Sequence, residues 1–291
     1  MAKIKSVQQD IYTTITMREL AQAFQEIALA NMQKERVSVI NSRTFAEELS
    51  EVFVDTRTSY QNFLEMMVKK KKKTDAIEAL RLKKNGKDVL VLLTANDALY
   101  GDIVSKVLQT FSLAMKQNTA DVVIIGRMGK NFFESAFPGK EYTYFVSDKE
   151  HLSPDVLNQI AAKLVMYENV KVYFGKFLNV LKQEPQSSSI SGEVPMEEKA
   201  TEEKEQYAFL FEPTIQDVLS FFETQIFSSL FKQTLHESDL ALYASRVVTM
   251  ERVGQVAQRQ LVQLKVSLNY AKRMEKDKKQ RDRLAGAALW K

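Results

Sequence analysis

The spacing of apolar residues changes twice along the chain, and the changes divide it into three parts. Near the start Ile4, Val7 and Ile11 recur at three and four residues, as on one face of a helix. Leu20, Phe24 and Ile27 continue an apolar stripe, while Ala23, Ala28 and Ala30 leave room for a second helix to come close. Thr14 and Arg18 interrupt the stripe, so the pattern predicts a drifting face and not a strict heptad zipper. Phe45, Leu49, Val52 and Phe53 resume helical spacing as far as Met66, Met67 and Val68. Residues 1–85 hold neither Gly nor Pro, which predicts a helical arm over 1–68 and, around the five lysines Lys69 to Lys73, a solvated basic linker over 69–87.

The middle has a different period. Asp88 to Thr94 (DVLVLLT) and Asp121 to Gly126 (DVVIIG) are short continuous apolar runs, as in strands covered on both faces. Tyr142 to Val146 and Val170 to Phe174 predict two more strands. Helical patterns lie between them, through Ile103, Val107, Leu108 and Phe111, around Phe132, Phe133 and Phe137, and after Pro154 with Ser153 or Asp155 near its cap. Alternating strands and helices over 88–211 argue an α/β layer with a largely parallel sheet. Residues 182–206, rich in Ser, Glu and Pro, predict a mobile surface loop, and Tyr207 to Phe211 a last strand.

From Glu212-Pro213 onward no further proline occurs, and 212–291 predicts a terminal helix that would run roughly 110 Å. A helix that long cannot bury its apolar stripe against itself, and the other proline-free arm is the available partner. The predicted fold is therefore α/β, with a long antiparallel coiled coil of the N- and C-terminal helices around a compact middle.

Composition narrows the chemistry. The chain has 291 residues, no cysteine and two histidines, His151 and His236, which excludes disulfides and thiolate catalysis and leaves little for a metal site or a serine triad. A net charge of +4 is too mild to argue for nucleic acid. No apolar run approaches the ~18 residues of a membrane span, and the start lacks a secretory core, so a cytoplasmic or membrane-peripheral protein with no transmembrane segment of its own is expected. Gly126-Arg-Met-Gly129-Lys130 has the G-x-x-G form of an RNA-clamping loop, but a strand running straight into Gly126 favours a tight strand-to-helix turn. The glycine spacing fits neither a dinucleotide fingerprint nor a Walker loop. His236 with Glu237 and Asp239 makes a poor metal set, and Phe221, Phe222, Phe227 and Phe231 are explained by packing on the sheet. No catalytic constellation and no cofactor or metal site is expected.

In their order, several segments resemble the γ subunit of F-type rotary ATP synthases, the central-stalk rotor. Ile11 to Met32, with Thr14, Leu20, Ala23 and Ala28, is similar to that family's N-terminal I-x-x-T…K-M segment. Leu93 to Gly101 (LTANDALYG) occupies the place of its T-S-D-R-G-L-C-G loop, and Val122 to Phe133 (VVIIGRMGKNFF) is close to V-x-x-I-G-x-K-G-x-x-F-F. Tyr173 to Pro185, Phe211-Glu212-Pro213, then Ala244, Arg246, Met250, Asn269 and Gly286 to Leu289 follow in register.

The resemblance implies an antiparallel shaft rising through a hexamer of α and β subunits and a Rossmann-like foot domain beside an ε-like subunit, with a membrane rotor ring as a further candidate partner. Catalysis and nucleotide would stay on the β subunits, with no cofactor and no nucleic acid bound by this chain. It implies hexamer contacts at Leu20, Phe24, Ile27, Ala28, Met32, Arg246, Met250, Lys272, Arg273, Asp277, Lys279, Leu289 and Trp290. Foot contacts are implied at Asn96, Asp97, Leu99, Tyr100, Gly101, Gly126 and Gly129. Three departures stand out. Asn96-Asp97 replaces the family's Asp-Arg pair, Tyr100 replaces its Cys, and Lys276 to Arg283 (KDKKQRDR) replaces an I-T-x-E-L-x-E-I segment. These leave open a rotor of a divergent ATPase that does mechanical work without a conventional membrane ring. The same sequence is also compatible with an RNA-binding module built on the G-x-x-G loop and the lysine run, or with a plain coiled-coil scaffold.

Overall fold

A computed structural model describes residues 2–67, 84–117, 120–145, 154–190 and 215–288. Among these the elements run α1 (Ala2–Met67), β1 (Asp88–Leu93), α2 (Ile103–Gln117), β2 (Asp121–Ile125), α3 (Arg127–Ala136), β3 (Thr143–Phe145), α4 (Pro154–Leu164), β4 (Asn169–Asn179), β5 (Lys182–Ile190) and α5 (Ile215–Ala288). They pack as two compact units, residues 31–245 and residues 1–30 with 246–291. The lysine run, the expected strand at Tyr207 to Phe211, His151, Leu289 and Trp290 lie outside the described residues.

The larger unit is organised by a five-stranded sheet of order β3-β2-β1-β4-β5. β1 pairs in parallel with β2 and β4, and β2 pairs in parallel with β3. Parallel strands are buried on both faces, which is why Val89 to Leu93 is apolar without alternation and buried throughout. The two faces nevertheless hold different cores. Leu90 and Leu92 join Val107, Phe111 and Phe133 from α2 and α3. Val89, Val91 and Leu93 join Ile160 and Leu164 from α4 with Phe227 and Phe231 from α5. Burying side chains of this size stabilises by about 1.5–3 kcal/mol each.

One expectation is corrected. Residues 182–190, read as the start of a mobile loop, form β5, antiparallel to β4 from Val170–Ile190 to Asn179–Lys182. Its composition misleads because an edge strand buries little side chain: only Ile190 is fully buried. Backbone pairing holds it, and Pro185 is tolerated at the edge, opposite Gly175. The hairpin is closed by Asn179, whose Oδ1 accepts from the N–H of Leu181 and of Lys182 at 3.0 and 2.9 Å.

The smaller unit is an antiparallel helix pair. Arg18 Nη1 donates to Gln258 Oε1 and Gln25 Nε2 to Glu251 Oε2, each at 2.9 Å, so seven residues forward on α1 is seven back on α5. The seam is stricter than the apolar pattern predicts. On α1 the residues turned away from solvent include Ile4, Val7, Ile11, Thr14, Arg18, Ala21, Gln25 and Ala28, at alternate steps of three and four. Hydrophobicity hides this register because most of these seam positions carry threonine, alanine or long polar side chains. No helix among the described residues is long and apolar enough to cross a membrane.

Candidate functional site

The foot turn is built from β1 and β2, whose carboxyl ends lie side by side. β2 runs into Gly126, which takes φ +100°, and α3 begins at the next residue. The first turn of a helix leaves its N–H groups without intrahelical partners. Here the loop after β1 supplies them. The Arg127 N–H donates to Asn96 Oδ1 at 3.1 Å, the Met128 N–H to the Ala95 carbonyl at 3.0 Å, and the Gly129 N–H to Thr94 Oγ1 at 2.9 Å. Thr94 is tied in turn to the Ile125 carbonyl through its own N–H and hydroxyl.

This closeness explains both glycines. A Cβ at Gly126 would overlap the Thr94 carbonyl, and one at Gly129 would lie 2.7 Å from Thr94 Oγ1. The strand-to-helix reading of the G-x-x-G motif therefore holds. Its amide donors are engaged by the neighbouring loop, which is the opposite of a loop that cradles phosphate or an RNA backbone.

The foot residues nominated from the sequence divide by depth. Asp97 and Arg127 form an exposed ion pair at 2.6 Å, and Arg127 Nε also donates to the Asn96 carbonyl. Leu99 is half exposed at φ 80°, a costly conformation for a branched side chain. Gly101 is exposed. Tyr100 is buried, with its ring 6.5 Å from that of Tyr243 and its carbonyl accepting from Ser245 Oγ at 2.6 Å. Gly126 and Gly129 are buried as well. Asn96, Asp97, Leu99 and Gly101 offer surface, whereas Tyr100, Gly126 and Gly129 fix the shape beneath it.

The shaft residues divide in the same way. Leu20, Phe24 and Ile27 point outward, 54%, 38% and 51% exposed, while Ala28 is fully buried in the seam. Arg246 and Met250 are buried, and Met32 packs against the Phe111 core. Lys272, Arg273, Asp277 and Lys279 are exposed, and Lys279 pairs with Glu275 at 3.0 Å. Sequence reasoning passed over Glu35, which is buried with its Oε2 2.7 Å from His236 Nδ1, and Arg43, which pairs with Glu237 at 3.1 Å. Two of the three residues weighed as a weak metal set are thus interhelical partners. The signal was available: Glu35 lies seven residues beyond Ala28, two turns further along the same face of α1.

The helix pair thus leaves an apolar row, Leu20, Phe24 and Ile27, facing solvent although its own seam is filled. A family model for ATP synthase matches residues 3–276. The chain belongs to the ATP synthase family. It is 22% identical over 296 residues to the ATP synthase gamma chain of Pelotomaculum thermopropionicum, covering 99% of both chains. Identity to the ATP synthase gamma chain of Halothermothrix orenii is 20% over the whole of both. Among solved structures it resembles a chain of the central stalk and c-ring of the Tetrahymena thermophila mitochondrial ATP synthase. That match has 18% identity and a TM-score of 0.56, covering 80% of this chain and 98% of the other. The shared fold is the α/β sheet with long terminal helices.

Proposed function

We propose that this chain is the noncatalytic central rotor of an ATP synthase or a related ATPase, with ATP handled by partner subunits. The observation that carries this reading is the outward row Leu20, Phe24 and Ile27 on a helix pair already closed by Ala21, Ala28 and Met250. An exposed apolar row of this kind marks a surface that partners cover. A ring of α and β subunits around the pair would bind unlike faces of an asymmetric rod, and each catalytic subunit would be biased toward a different conformation by its own contacts. Exposed Lys272, Arg273, Asp277 and Lys279 would meet the same ring by charge. Asn96, Asp97, Leu99 and Gly101 would contact an ε-like subunit or a membrane ring, on a surface shaped by Tyr100, Gly126 and Gly129. Leu289 and Trp290 would add contacts at the tip.

Native mass spectrometry of the chain isolated from its cells tests this. One copy with three each of two nucleotide-binding subunits is expected, and a self-associated species free of such subunits would overturn it. Membrane-ring subunits in the same particle would distinguish a synthase from an assembly that only hydrolyses ATP.

A further inference from the structure

The larger unit contains a cavity of about 1180 Å³ that shares Asn96, Asp97 and Tyr100 with the foot surface and whose other walls the rotor reading does not use. On one side it is bounded by the carboxyl ends of β1 and β2, at Leu93 to Asp97 and at Ile125 and Arg127. In this sheet the chain leaves β1 toward β2 and β3, then returns to β1's other edge as β4. Open α/β sheets bind ligands outside the carboxyl ends of their strands, and the cavity lies at the ends of β1 and β2, beside the reversal between β1 and β4 and not at it.

The opposite walls are α1 and α5, and the faces they turn to the cavity are unusual. α1 contributes Lys34, Ser38, Asn41 and Phe45, and α5 contributes Gln225, Ser229, Lys232 and His236. Each set is spaced four, three and four, so each is one continuous helical face. Here two hydroxyls, two amides and two ammonium groups line a cleft that is open to solvent, with Lys34, Asn41 and Lys232 exposed. Ser229 is 7% exposed.

Charge selects the occupant. Of the acids lining the space, Glu35 is bonded to His236 and Asp97 to Arg127, and Asp239 has a partner of its own. Lys34 and Lys232 have no carboxylate partner among the described residues. Two point-charge ammoniums with serine hydroxyls beside them suit phosphate oxygens. The volume far exceeds one phosphate, and Phe45, Tyr144 and Leu157 supply apolar walls for a planar body. We propose that this cavity binds a small phosphorylated molecule with a ring, the chemistry of a nucleoside phosphate.

The proposal is independent of the rotor reading, because the test uses the full chain alone. ADP titrated to about 1 mM in a calorimeter should bind saturably, and more tightly than adenosine or inorganic phosphate. Lys34→Glu and Lys232→Glu should each weaken binding about tenfold or more, whereas Lys106→Glu, on the far surface of α2, should leave it unchanged. Hydrogen exchange on the unsubstituted chain guards against misfolded variants: ADP should slow exchange in 34–45 and 225–236. No saturable binding of ADP, binding indifferent to both charge reversals, or protection confined elsewhere would overturn the site. Equal affinity for inorganic phosphate would overturn the nucleoside class.

Discussion

α5 belongs to two different environments along one unbroken helix, and the contrast shows what each asks of a sequence. From Leu240 to Ser245 every residue is buried, because the helix there is enclosed by the sheet's cores, with Leu242 and Tyr243 beside Phe111. From Met250 to Glu275 burial falls to a single seam at Met250, Ala257, Leu261, Leu264, Leu268, Ala271 and Glu275, with Val253 and Gly254 also shielded. Enclosure needs apolar bulk all round and fixes the structure through volume. A seam against one partner helix needs only a register, and small or polar residues satisfy it as well as large ones. The first region should therefore be fragile to any added atom near its turns. The second should respond to a change in the seam and ignore changes beside it.

The largest expected effect lies in the sheet unit. Gly126→Ala combines an unfavourable φ with overlap of the Thr94 carbonyl, and no flexible side chain can yield. We expect a loss of about 3 kcal/mol or more by urea unfolding, in the range of strained or overpacked core substitutions. A loss below ~1 kcal/mol would mean that the β1 loop and the α3 turn are not locked together as described.

The helix pair allows a sharper comparison between adjacent positions. Ala28→Leu forces three extra carbons into a fully buried seam site and should cost about 1–3 kcal/mol. Ile27→Ser, one residue away and half exposed, should change the isolated chain by no more than about 0.5 kcal/mol. In the assembly the order should reverse, with Ile27→Ser reducing recovery of nucleotide-binding partner subunits. If Ile27→Ser destabilised the isolated chain as much as Ala28→Leu, the seam would be assigned to the wrong face.

This contrast also explains what the sequence made legible. Strands β1 and β2 are readable because enclosure writes itself as runs of Val, Leu and Ile. The N-terminal arm is readable from the absence of Gly and Pro over 1–85, and the C-terminal arm from the absence of proline after Pro213. The seam is not, because Thr14, Arg18 and Gln25 occupy it while Leu20, Phe24 and Ile27 stand outside, so over this stretch hydrophobicity marks the wrong face for pairing. β5 is hidden for a related reason: an edge strand is held through its backbone, and Ser187, Ser188 and Ser189 pair with β4 regardless of what their side chains prefer. The foot turn was visible as a motif. Its purpose was not, since the hydrogen bonds of Thr94 and Asn96 cross more than thirty residues of sequence.

The smallest effect sits at the far end of the seam. Glu275 is held below the usual carboxylate range, chiefly by the hydrogen bond and charge of Lys279 at 3.0 Å, against a weaker opposing push from desolvation. A depressed carboxylate pKa favours the fold above the ordinary carboxylate range, and that contribution is lost as pH falls through the lowered value. Lys279→Ala should therefore move the Glu275 midpoint upward in a carboxyl-resolved nuclear magnetic resonance titration while the unfolding midpoint at neutral pH stays nearly constant, since Lys279 is exposed and its charge is screened. A midpoint that did not move would assign the shift to some neighbour other than Lys279. A large loss of stability would instead mean that this last shielded turn is clamped by charge, and the seam would then change in kind before the helix ends.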